Sequence, residues 1–137
     1  MTATISVEQA LIYTMVTMSG VEGRVNKAET DEIGLLVKIL PAFAHFDASR
    51  LGTIVREVSE ILQEPEGLKT VLGLVKSALP MKLRETAYAL AVEVAAADLL
   101  VGKEELRFLA MLRDALGLDK LVTAALERSA IARYQTP

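Results

Sequence analysis

Two stretches of this chain follow one plan, and that plan restricts the fold to helices joined by tight elbows. From Val92 to Leu118 (VEVAAADLLVGKEELRFLAMLRDALGL) an alanine-rich helical segment runs to Asp98. It turns through Leu99-Leu100-Val101, and a second amphipathic segment opens at Gly102. From Val16 to Leu40 (VTMSGVEGRVNKAETDEIGLLVKIL) the order repeats. Glu22, Val25, Lys27 and Glu29 stand where the later stretch has Asp98, Val101, Lys103 and Glu105. In each copy the valine is expected to tuck under its elbow and pack between the helices.

The rest of the chain keeps the helical period. Val7, Ala10, Leu11, Thr14, Met18 and Val21 recur three or four apart, as one face of a helix requires. Ser6 with Gln9 forms a capping box, so helix 1 is expected from about Val7 to Ser19, ended by Gly20 and Gly23. Asn26 caps helix 2, whose inner face is Ile33, Leu36, Val37 and Leu40, and Pro41 stops it. Asp47 is placed to cap helix 3, with Leu51, Ile54, Val55, Val58, Ile61 and Leu62 inward. Pro65 suits a first helical turn, before Leu68, Val71, Leu72, Val75 and Leu79 of helix 4. Helix 5 runs from about Lys82 to Asp98, with Ala87, Leu90, Ala91 and Val94 inward. Helix 6 runs from about Lys103 to Leu116, with Gly117 as its stop. Asp119 caps helix 7, whose Val122, Ala125, Leu126 and Ser129 share a face, and Tyr134 to Pro137 are expected to fray. No segment alternates at period two, so no strand is predicted. The expectation is an all-α, compact bundle of about seven helices, built from two related helix–elbow–helix units in a single domain over residues 1–137.

Composition narrows the chemistry. The 137 residues suffice for a core without staples. Hydrophobic residues make up 52%, while aromatics make up only 4%. With no cysteine, no disulfide, thiolate metal site or cysteine nucleophile can form. The N-terminus lacks a basic and apolar leader, and the uncharged run Gln9 to Val21 falls short of the roughly 20 residues a bilayer span needs. A soluble, cytoplasmic protein without direct membrane insertion is expected. The net charge of −3 with dispersed basic residues argues against nucleic acid, which calls for a basic patch. The apolar excess leaves room for a partner surface or a homo-oligomer. His45, the only histidine, has no second histidine for a metal site and no serine singled out beside it as a nucleophile. Met15, Met18 and Met111 read as core filler.

The four elbow acids are the candidate site. Glu29 and Glu105 fit the third helical position, where a carboxylate reaches back to an orphan N–H and complements the helix dipole. Asp98 and Glu22 sit at the ends of helices, near the negative pole, where something must offset them. Elbow N–H groups can do so in an Asx turn. A hard cation held by Asp98 and Glu105, and by Glu22 and Glu29 in the other copy, can do so too. The EF-hand pattern is absent, with Leu99 and Leu100 where its oxygen ligands would stand.

This pattern resembles the tellurite-resistance TerB family, whose helical domains read A-A-A-D-G-x-[IV]-x-x-x-E-x-x-x-[IL]. The matching residues are Ala95-Ala96-Ala97-Asp98, Val101, Glu105 and Leu109, with Leu99 at the glycine position. The earlier copy offers Glu22-Gly23, Val25, Glu29 and Ile33. The resemblance implies a cytoplasmic helical domain linked to tellurite resistance and stress response, with no enzymatic reaction. It further implies metal binding through Asp98, Glu105, Glu22 and Glu29, with a divalent cation (Ca²⁺ or Mg²⁺), and protein–protein interaction with other tellurite-resistance components, some membrane-bound. Two alternatives stay open: a metal-dependent enzyme using the elbow carboxylates, and a small-molecule carrier with an apolar pocket between helices.

Overall fold

The computed structural model describes residues 4–21, 27–97 and 101–137. Glu22, Val25, Asn26, Asp98, Leu99 and Leu100 lie outside the described residues. Among the described residues, seven α-helices follow in order: α1 (Val7–Gly20), α2 (Lys27–Ile39), α3 (Leu51–Leu62), α4 (Gly67–Ala78), α5 (Met81–Ala96), α6 (Lys103–Leu116) and α7 (Lys120–Arg133). Among the described residues there is no strand, and no helix is long and apolar enough to cross a membrane.

The uncharged run becomes the centre of the bundle. Residues Ala10 to Met15 of α1 are all buried, as are Thr17, Met18 and Ser19. A helix buried on every side cannot be amphipathic, and α1 accordingly packs against α5, α3, α4, α2 and α6. Its start is fixed by the expected capping box. The Ser6 N–H donates to Gln9 Oε1 at 2.9 Å, and the Gln9 N–H donates to Ser6 Oγ at 3.1 Å. Such a cap contributes about 1 kcal/mol. In α5, Ala87, Ala91 and Ala95 are buried at four-residue spacing. Their short side chains allow a neighbouring helix axis to come close. Ile33, Leu36 and Val37 of α2, Ile54 and Val58 of α3, and Val71, Leu72 and Val75 of α4 join one continuous apolar core.

Several boundaries differ from the sequence expectation, each for a local reason. Asp47 caps a 3-10 turn, Ala48–Arg50, that feeds α3, rather than α3 itself. Its Oδ1 accepts from the Ser49 N–H at 3.0 Å and from Ser49 Oγ at 2.7 Å. The Ser49 side-chain and backbone hydrogen bonds hold the Asp47 carboxyl below the usual carboxylate range. Pro65 lies in the α3–α4 turn, and α4 begins at Gly67. A Cβ on Gly67 would lie 2.2 Å from the Ile61 carbonyl oxygen and 2.8 Å from Leu62 Cα, so the turn closes only on glycine. Gly117 ends α6 as expected, with φ +67°. The Leu118 N–H donates to Arg113 O at 3.0 Å and the Gly117 N–H to Asp114 O at 3.3 Å, the paired bonds of a Schellman stop.

Helix α7 is rotated relative to its expected face. Thr123 and Ala130 are its buried residues, while Ala125 and Ser129 are exposed. Thr123 Oγ1 donates to Lys120 O at 3.1 Å, which lets a threonine sit inward without an unmet polar atom. Tyr134, expected to fray, is half-buried. Its hydroxyl lies 3.0 Å from Glu32 Oε2 and 3.0 Å from Glu93 Oε2, tying the end of α7 to α2 and α5. Arg133 adds an ion pair to Glu93.

Candidate functional site

The elbows are built by the helices that flank them. Each described elbow glutamate sits in the first turn of the helix that leaves its elbow, and both are buried at 3% exposure. Burying a carboxylate costs free energy unless hydrogen bonds take the place of water. Both glutamates have hydrogen-bond donors close by. Ser19 Oγ, in the last turn of α1, donates to Glu29 Oε1 at 3.3 Å. Three residues before Asp98, the position matching Ser19 is Ala95, which has nothing to donate. Glu105 accepts the Gly102 N–H through Oε1 at 3.1 Å. That contact satisfies one of the orphan donors at the start of α6 and places negative charge at the positive pole of the helix. The expected capping role of Glu105 is therefore present in the structure.

Of the four candidate metal ligands, Glu29 and Glu105 are described and Glu22 and Asp98 are not. Among the described residues, no three or more acidic or histidine side chains gather where they could hold a metal ion. His45 is exposed.

Val101 departs from its expected place. It was expected to pack beneath the second elbow, but it is 45% exposed. It stands instead on the rim of an open cleft of about 250 Å³ between α5, α6 and α7. Val92, Ala95 and Ala96 contribute from α5, Leu106 and Leu109 from α6, and Ala130 and Ile131 from α7. Leu106 and Ile131 are 53% and 47% exposed, so they stand with Val101 as an apolar rim. Among the described residues, the polar ones of the cleft are Glu127, Tyr134 and Gln135. Glu127 is half-buried and forms no ion pair among the described residues. Its Oε2 accepts from the Tyr88 hydroxyl at 3.2 Å. Burial, followed by the Glu127 charge, pushes the Tyr88 phenol up to about 12. Burial also raises Tyr134, with the hydrogen bond and charge of Glu32 acting in the same direction and Arg133 opposing.

A cleft with these walls can receive apolar side chains, and Glu127 can meet a cation beside them. The sequence reading did not find this surface. Its signal was present in Leu106 and Ile131, large apolar residues that fall off the buried stripes of their helices, where the core does not use them. No family model, curated protein or solved structure matches the chain.

Proposed function

We propose that this chain is a non-enzymatic protein-interaction domain of the tellurite-resistance and stress-response type, acting in the cytoplasm on other, including membrane-bound, resistance components. The observation that carries the interaction role is the α5–α6–α7 cleft. Three large apolar residues on one rim, above an apolar floor, are a surface that water disfavours and a partner can cover. The occupant is a partner segment with apolar side chains and an adjacent lysine or arginine, because Glu127 offers a half-buried carboxylate with no cation partner among the described residues. The tellurite and stress-response assignment rests on the sequence resemblance alone.

Fluorescence anisotropy tests the interaction role. The probes are a synthetic amphipathic helix with a leucine face flanked by lysines, and its glutamate-flanked counterpart. The lysine peptide is expected to bind saturably and to lose about tenfold in affinity on the double change Leu106→Ser with Ile131→Ser, about 1.4 kcal/mol. Glu127→Gln is expected to narrow the preference for lysine over glutamate flanks. Equal binding of both peptides, or binding untouched by the double change, contradicts the proposal. Self-association lost in the double variant would assign the cleft to a second copy instead.

A divalent cation at the elbows is a second reading, favoured by the equivalent positions and equal burial of Glu29 and Glu105. Calorimetry with Ca²⁺, Mg²⁺, Mn²⁺ and Zn²⁺ tests it. Saturable binding of Ca²⁺ or Mg²⁺, lost on Asp98→Ala with Glu105→Ala, supports the cation. Absence of binding by every ion rejects it.

A further inference from the structure

A second cleft lies on the opposite side of α6, and one atom in it stands out. Thr17, on the last turns of α1, is 1% exposed, and its Oγ1 is the buried side-chain atom with no hydrogen-bond partner among the described residues. Thr14, on the same helix, shows the ordinary solution: its Oγ1 donates to Ala10 O at 2.9 Å. A buried hydroxyl left without a partner costs about 1–3 kcal/mol.

Thr17 lines a cleft of about 340 Å³, near the lower end of the volumes that take small molecules. Leu68 of α4 and Phe108 and Met111 of α6 supply apolar wall. Glu104 and Arg107, one turn apart on α6, supply one charge of each sign. They are not paired with each other or with any other described residue. An unpaired carboxylate and an unpaired guanidinium beside an apolar wall complement a small zwitterion with an apolar side chain. A purely anionic ligand would be opposed by Glu104, and a purely cationic one by Arg107.

We infer that this cleft binds a free α-amino acid with an aliphatic or aromatic side chain. Arg107 takes its carboxylate, Glu104 its ammonium group, and Thr17 Oγ1 a hydrogen bond to its polar end, while the side chain rests on Leu68, Phe108 and Met111. The site is separate from the α5–α6–α7 cleft and does not depend on partner docking there.

The test is an NMR titration of the full chain with L-leucine, 4-methylpentanoate (leucine without its amine) and 3-methylbutylamine (leucine without its carboxylate). Leucine is expected to bind saturably with a dissociation constant of about 1 mM, and each analogue about tenfold more weakly. The exposed change Arg107→Gln is expected to weaken leucine about tenfold while leaving 3-methylbutylamine unaffected. Thr17→Val is expected to raise the melting temperature of the empty protein and to weaken leucine, opposite effects that a purely structural threonine would not give. Analogues that bind as well as leucine, indifference to Arg107→Gln, or no saturable binding up to about 20 mM overturns the assignment.

Discussion

Glu29 and Glu105 place one residue type at one repeated position, each beside a hydrogen-bond donor. Both carboxylates are buried in a first helical turn. One accepts from Ser19 across the elbow and the other from the Gly102 backbone. The tyrosines carry a pH dependence at the same scale. Tyr88 is raised from 10.0 to about 12, so the folded state favours the protonated phenol. Its stabilisation is complete below pH about 10 and is lost as pH rises toward about 12, a difference on the order of 2 kcal/mol. Chemical denaturation at pH 9 and pH 11 measures it. Wild-type stability should fall more than that of Tyr88→Phe, whereas equal losses would remove Tyr88 as the source. Tyr13 and Tyr134 are shifted in the same direction, so only the difference between variant and wild type isolates Tyr88. The sequence made the Glu105 cap legible, because capping depends on residues three apart. Tyr88 and Glu127 are 39 positions apart, and no local pattern joins them.

At the scale of elements, the helical period located all seven helices, and Ser6, Gly117 and Asp119 were read correctly as caps and stop. Their ranking was less legible. The alanine-rich α5 and the second elbow drew attention in the sequence, yet α1 is the helix that five others pack against. The cause is physical: a helix buried on all sides loses the polar stripe that marks a face, and α1 showed itself only as an uncharged run. The rotation of α7 has a related cause. Its inward Thr123 and Ala130 are small or polar, so the burial of this helix comes from its neighbours rather than from a strong apolar stripe of its own. The α3–α4 turn was legible at Pro65 but not at Gly67, whose requirement is a close approach to the Ile61 carbonyl. Gly67→Ala should therefore destabilise the protein by about 1–3 kcal/mol, as overpacking does, measured as a shift in urea midpoint. Gly73→Ala on the same helix, with open space around its Cβ position, should be neutral or stabilising by up to about 1 kcal/mol. Similar losses for both would mean that the turn tolerates a side chain.

At the scale of the molecule, the helices that bury the core leave two clefts flanking α6, with opposite chemistry. One is apolar, rimmed by Val101, Leu106 and Ile131, with a carboxylate at Glu127. The other presents both charges and an unpartnered hydroxyl. Such a pair of clefts suits recognition of two different ligands. Partner docking in the α5–α6–α7 cleft is tested by amide shift mapping during titration with the lysine-flanked peptide. The largest shifts should fall on Val101 to Leu109 and on Ala130 to Gln135, and disappear with Leu106→Ser and Ile131→Ser combined. Saturating shifts centred on the outer faces of α3 and α4, with the cleft amides unmoved, would contradict it.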